Sequence, residues 1–184
     1  MAAASLRAET LRPALSLLGP VLIGVSLVSG QDHLRTFLLF VLAITALDVL
    51  LPEADGVTGR GGSRLAALLP HAHLPVHALL LVCAVQLWVE PNTALIERVG
   101  MVVGFGVYGC AFGINVAHEL IHRRARFSRI WGGLTLSLVC YGSFKVEHIH
   151  GHHRHVATPL DASTAPKGRG FWSHLPRAVV GNFQ

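Results

Sequence analysis

V-G-M-V-V-G-F-G-V-Y-G-C-A-F-G-I-N-V-A, residues Val99 to Ala117, runs for 19 residues without a charge and ends on H-E-L-I-H, His118 to His122. That is about the length needed to cross the hydrocarbon core of a bilayer. The segment therefore reads as a membrane helix that delivers two imidazoles and a carboxylate to the membrane surface. Gly100 and Gly104, then Gly109 and Gly113, stand four apart, a spacing that lets helices in lipid approach closely.

Working outward, three more apolar runs precede this one. Residues 13–31 and 34–51 form the first two, separated by Asp32 and His33. Leu65 to Val89 is the third. Pro70 and Pro75 interrupt its front, so the helix proper is expected over 75–89. A polar, glycine-rich loop holds Glu53, Asp55, Arg60 and Arg64, and a short turn spans Glu90 to Arg98. After 99–117 comes Ile130 to Phe144, apolar but only 15 residues long. That is short for a span and suits a re-entrant or interfacial helix over 130–144. It is expected to return to the side it came from, so that the histidines before and after it can share a site.

Composition agrees with a membrane protein. Of 184 residues, 52% are hydrophobic and 14% charged, against roughly 25% charged in a soluble domain. The net charge is +5, and 13 of the 15 basic residues are arginine. They sit between apolar runs and are not interleaved with aromatics, which argues against a nucleic-acid footprint. Arg7, Arg12, Arg60, Arg64, Arg123, Arg124, Arg126 and Arg129 fall on one side of the predicted spans, and only Arg35 and Arg98 on the other. By the positive-inside rule the N-terminus and both histidine clusters are cytoplasmic. Cys83, Cys110 and Cys140 lie apart within apolar runs, as small buried thiols do. The first apolar run follows Arg7 and Arg12 but is long and lacks a clean cleavage site, so it reads as a span rather than a secretory leader. The expected fold is an all-α integral-membrane bundle. It has about four transmembrane helices plus the short re-entrant or interfacial helix, and residues 1–184 form part of one domain.

The second cluster is E-H-I-H-G-H-H-R-H-V-A, Glu147 to Ala157, with five histidines in 11 residues. On an α-helix, residues four apart share a face, with Cβ atoms about 5–6 Å apart. His118 and His122 can then bind one cation, and His148 and His152 another, while His153 points away from His152 toward a second metal. Many imidazoles without paired cysteines favour iron, zinc or copper. His150 and His155 either support the ligands or are solvated. Glu119, Glu147 and Asp161 are the carboxylates nearby that can take a ligand's second ring N–H. Asp48, at the cytoplasmic end of the second span, either orients a ligand, pairs with an arginine of the 123–129 group, or stands in water. His33, His71, His73, His77 and His174 lack spacing partners and read as structural. H-E-x-x-H alone is also the zinc-protease motif, with Glu119 as general base. Such a site needs one further protein ligand and leaves the second cluster without a use, so the surplus favours two metals.

These boxes carry a resemblance. H-E-L-I-H-R, followed by E-H-I-H-G-H-H-R-H-V-A-T-P-L-D-A-S, resembles the integral-membrane di-iron alkane monooxygenases of the membrane fatty-acid desaturase and hydroxylase superfamily. His118, Glu119, Leu120 and His122 match the first box, with Arg123 in place of lysine. Glu147, His148, Gly151, His152, His153, Val156, Ala157, Thr158, Pro159 and Asp161 match the second. Asn115, Leu175-Pro176-Arg177 and Val180-Gly181 are also familiar from the family. The resemblance implies terminal hydroxylation of medium- or long-chain alkanes by dioxygen at two non-haem iron ions, with His118, His122, His148, His152 and His153 as ligands. It implies a bacterial inner-membrane enzyme whose substrate comes from the bilayer. Its electrons come from rubredoxin or a ferredoxin, reduced by an NAD(P)H-dependent reductase. Sister reactions of the superfamily, desaturation and alkyl-aromatic hydroxylation, remain alternatives. The family carries an E-H-Y-G segment and a Q-R-H-x-D-H-H box after the second cluster. Neither is found in residues 1–184, so the chain is expected to be the front part of a longer enzyme and inactive alone.

Overall fold

The structure is a computed structural model and describes residues 17–29, 32–50 and 64–183. The expected features at residues 1–16, 30–31 and 51–63 lie outside these: Arg7, Arg12, the start of the first span and the loop carrying Glu53, Asp55 and Arg60. So does the side chain of Asp48. The described residues form helices and turns and no strand. The chain divides into two compact units after Val139.

The first unit contains α1 (Leu18–Ser29), α2 (His33–Leu50), α3 (Arg64–Val89), α4 (Leu95–Tyr108), α5 (Asn115–Ile121) and α6 (Arg126–Leu138). A π-helical stretch, Gly109–Ile114, joins α4 to α5 without a break. Two of these helical runs, Ala67–Val89 and Leu95–Ile121, are long and apolar enough to cross a membrane. At 1.5 Å per residue they exceed the core thickness of about 30 Å. Leu18–Ser29 and His33–Ala46 are apolar as well. Leu79, Val82, Val89 and Val102 are more than half exposed, as lipid-facing side chains of a bundle are. Inside, Leu27, Leu80, Met101 and Tyr108 form the core, flanked by Phe105 and Phe112.

Helix α3 begins at Arg64, not near Pro75, and runs through both prolines. Proline at 75 has no N–H for the carbonyl of His71, one turn earlier. That carbonyl instead accepts a 2.7 Å hydrogen bond from the Trp131 indole of α6. A neighbouring helix thus satisfies the group that the proline orphans, which is how membrane helices tolerate proline. The same two helices meet at His71 Nε2 and Ser128 Oγ, 3.0 Å apart.

Helix α6 occupies 126–138 of the region where residues 130–144 were expected to be helical. Its buried face is Ser128, Gly132, Thr135 and Leu136, while Phe127, Ile130 and Leu134 are exposed. Gly132 is where this face meets α5: a Cβ there would lie 2.8 Å from the carbonyl oxygen of Ala117.

The second unit holds a short helix over residues 144–155, the loop 156–170 and α7 (Phe171–Gly181). The short helix is π-helical over Glu147–His152. Arg177 of α7 holds the loop by donating to the carbonyl of Pro159 at 2.6 Å.

Candidate metal centre

In the first unit, His118 and His122 lie on α5 and at its C-cap. Their rings are 4.8 Å apart between centroids, and a ring nitrogen of each lies within 4.8 Å of the other. One helical turn separates them, so the expected same-face pairing is in place. Glu119 points elsewhere. It forms an ion pair with Arg123, four residues on, and Arg123 also donates to the carbonyl of Ala67 at 2.6 Å. The carboxylate between the two histidines therefore ties α5 to α3 through an arginine. The π-helical stretch upstream is closed by Asn115, whose amide donates to the carbonyl of Ala111 at 2.8 Å. A wide turn of this kind shifts the face presented by everything after it, and such turns recur at functional sites.

In the second unit the pairing differs from the α-helical expectation. His148 Nε2 stands 3.0 Å from His153 Nε2, and their rings are 4.5 Å apart, edge to face. His152 stacks on His148 at 5.5 Å. The cause is the π-helix: its i→i+5 bonding brings residues five apart into line. Two nitrogens on one metal at about 2.1 Å, at a right angle, would stand about 3.0 Å from each other, so the His148–His153 pair has the spacing of a chelate.

His152 has a partner of its own kind. Its Nδ1 is 2.9 Å from Asp161 Oδ2. Asp161 is buried and also accepts from the Thr164 hydroxyl and, at 2.9 Å, from the Ser163 amide. Burial opposes ionisation of this carboxyl most strongly of any single influence. The hydrogen bonds from Thr164, Ser163 and His152 together outweigh it and hold the group below the usual carboxylate range. A carboxylate on Nδ1–H fixes the tautomer that leaves Nε2 its lone pair for a metal. Thr164 in turn accepts from the amide of Ala157 at 3.0 Å, and Ala157 holds the left-handed backbone angle φ +65°. The run V-A-T-P-L-D-A-S-T is thus a loop folded to aim one carboxylate at one histidine.

Glu147 lies over Gly151: a Cβ at 151 would come within 2.8 Å of Glu147 Oε2. His150 is exposed and His155 half-buried, with the carbonyl of His155 accepting from Thr158 Oγ1 at 2.6 Å. Four histidines read as structural are buried: His33, His73, His77 and His174. His77 stacks on Tyr108 at 4.9 Å between ring centroids, the packing role expected of it. His33 Nδ1 is 2.6 Å from Ser26 Oγ, and its backbone N–H donates to Glu97 Oε2 at 3.0 Å.

Each unit carries a close imidazole pair, and the first has two helices long and apolar enough to cross a membrane: the features of a helical protein with a candidate metal centre and candidate membrane spans. The family description "Fatty acid desaturase" matches residues 93–184, and the chain belongs to that family. Its relatives include alkane 1-monooxygenases. It is 46% identical over 88 residues to alkane 1-monooxygenase 2 of Pseudomonas aeruginosa, covering 48% of this chain and 23% of that one. It is 42% identical over 123 residues to alkane 1-monooxygenase 1 of the same organism, covering 66% and 32%. With the alkane 1-monooxygenase of Acinetobacter baylyi it shares 26% identity over 201 residues, covering 100% of this chain and 49% of the relative. The chain thus spans about half the length of the last relative, and the alignments cover less of the other two.

Proposed function

We propose that the chain is part of an integral-membrane di-iron monooxygenase which, as the full-length enzyme, converts medium- or long-chain alkanes to primary alcohols with dioxygen. The observation that carries this reading is the second cluster: two imidazole nitrogens at chelate spacing, beside a histidine whose second nitrogen is fixed by a buried carboxylate. His118, His122, His148, His152 and His153 are the ligands this reading assigns. Neutral imidazoles suit iron, and the bound iron supplies the dioxygen activation that no side chain can. The rest falls to the chain. Asp161 holds His152 in its ligating tautomer, the apolar helices admit an oily substrate from the bilayer, and the π-helix sets ligand spacing. The reading includes four spans, with α1 and α2 among them, and an inner-membrane orientation with the N-terminus and the histidines cytoplasmic. The pairing of Glu119 with Arg123 counts against the protease alternative, which needs that carboxylate as a base.

Membranes containing the full-length enzyme that includes these residues, supplied with ferrous iron, a rubredoxin, its NAD(P)H-dependent reductase and 18O2, are expected to turn dodecane into labelled 1-dodecanol. An alkene product, or turnover confined to a methyl-substituted aromatic, would move the chain to a sister reaction. One zinc per chain with no oxygen consumption would overturn the reading.

Rubredoxin, or a ferredoxin, is the electron donor in this proposal. Arg124 and Arg126 are exposed and offer a small acidic carrier a positive surface. Reversing both to glutamate is expected to slow donor-driven turnover several-fold at low salt and to leave turnover with a small chemical reductant unchanged. Equal rates with the protein donor would exclude these residues as its docking site.

A further inference from the structure

An open groove of about 310 Å³ runs between α3 and α4 in the first unit, at the lower end of the roughly 300–1,000 Å³ of ligand sites. Leu81, Val85 and Trp88 line it from α3, and Val102, Phe105 and Gly106 from α4. Val85 and Val102 are more than half exposed. Among the described residues, nothing lies within 4 Å of a Cβ built on Gly106, so the glycine keeps the groove open about two turns along α4 from Arg98. The turn 90–94 joins the two helices at one end. There the Thr93 hydroxyl donates to the carbonyl of Leu87 at 2.9 Å, and Arg98 Nη2 to the carbonyl of Glu90 at 3.0 Å. The Arg98 guanidinium stands 5.9 Å from the centroid of the Trp88 ring, a cation–π distance. Among the described residues no carboxylate lies within ion-pair distance of Arg98. Glu97, its neighbour in sequence, accepts instead from the amide of His33 on α2.

We propose that this groove holds one acyl chain of a membrane phospholipid, with the lipid's phosphate on the Arg98 guanidinium. The apolar lining accounts for the chain and the cation at its end for the head. Tryptophan at a helix end marks the level of lipid headgroups, so a phosphate stands at the height of Arg98 when its chain lies along the groove. Arginine presents five N–H donors in a planar fork that pairs with phosphate oxygens two at a time, and the Glu90 carbonyl takes one of its nitrogens. The Trp88 ring and that carbonyl hold the guanidinium in place before the lipid arrives, which lowers the cost of ordering it. An alkane or a diacylglycerol fills the groove and leaves the cation without a counter-ion. The site contains none of the clustered histidines. It rests on the reading of α3 and α4 as membrane spans, and not on iron or turnover.

The test is photolabelling of the full-length enzyme that includes these residues, in detergent and without added metal. The probe is a phosphatidylglycerol with a diazirine midway along one acyl chain. Adducts are expected on α3 and α4 at Leu81, Val85, Val102 and Phe105. Dilauroyl phosphatidylglycerol should compete at about tenfold lower concentration than dilauroylglycerol, which has the same chains and no phosphate. That factor is about 1.4 kcal/mol, close to what one hydrogen bond to a charged group contributes. Arg98→Gln should remove the preference, and Arg98→Lys should keep part of it, because an ammonium attracts phosphate as a point charge without the fork. Should Arg98→Gln fail to fold, Gly106→Leu decides: the added side chain enters the open groove and abolishes the adducts with the helical circular-dichroism spectrum unchanged. Adducts scattered outside the groove, as when another helix covers it, equal competition by dilauroylglycerol, or full labelling of Gly106→Leu would each overturn the proposal. Alkaline carbonate washing of membranes tells its failure from that of the reading beneath it. A protein washed off has no spans and both fall; a protein that stays but labels outside the groove loses the lipid site alone.

Discussion

Asp161→Ala is expected to weaken ferrous-iron binding by the 148–153 cluster by about ten- to a hundredfold, the usual effect of removing the group that orients a ligating histidine. Three interactions disappear together. His152 loses the acceptor for its Nδ1 proton, so the ring can rotate and its tautomer is no longer set. Ser163 loses the acceptor for its amide. Thr164 loses the partner of its hydroxyl, and with it the fixed position from which it holds the amide of Ala157. The alanine variant therefore mixes an effect on the ligand with an effect on the loop. Asp161→Asn separates them. Its oxygen can still accept from Ser163, but the same amide group presents N–H to one side and cannot accept there. If orientation of His152 is what matters, Asp161→Asn binds iron about tenfold more weakly with an unchanged helical circular-dichroism spectrum. Wild-type affinity in both variants, measured by competition with a chromophoric chelator, would remove Asp161 from the site.

Some of this site was legible in the residues and some was not. His118 and His122 form the pair that four-residue spacing predicts, because α5 is an ordinary α-helix where they stand. The pairing of His148 with His153 was not legible. The same spacing rule pointed to His152, and a π-turn overrode it. A π-turn leaves no mark on hydropathy, since it changes which residues are in line without changing which are apolar. Asp161 was visible as a carboxylate near the cluster. Its aim at His152 depends on a left-handed residue that is not glycine, Ala157, and propensity does not anticipate that. Glu119 had the position of a base and serves as an ion-pair partner, because Arg123 lies one turn further along the same helix face. Pro70 and Pro75 argued for a late start to α3, and the indole of Trp131 supplies the donor that makes an early start tolerable.

Gly100→Ala is expected to destabilise the first unit by an amount at or above the roughly 1–3 kcal/mol that overpacking costs, although the same change is ordinarily favourable in a helix. A Cβ on residue 100 would lie 2.5 Å from the backbone nitrogen of Leu34 and 3.1 Å from the carbonyl carbon of His33. Backbone cannot turn aside as a flexible side chain can, so α2 and α4 must separate. The control lies on the same helix. Among the described residues, the nearest neighbour of an added Cβ at Gly104 is Phe37 Cβ at 3.6 Å, and at Gly106 nothing lies within 4 Å. Gly104→Ala and Gly106→Ala should therefore be neutral or stabilise by up to about 1 kcal/mol, the helix-propensity difference between the two residues. Three identical substitutions in one helix thus have opposite expected signs, and propensity cannot separate them. Thermal unfolding in detergent, followed by circular dichroism, reads the order directly. If Gly100→Ala melts with the other two, the close crossing of α2 and α4 at His33–Leu34 is not a feature of the folded protein. If Gly100→Ala alone melts early, the spacing of Gly100 and Gly104 has a division of labour: the first lets the helices touch, and the second leaves room beside Phe37.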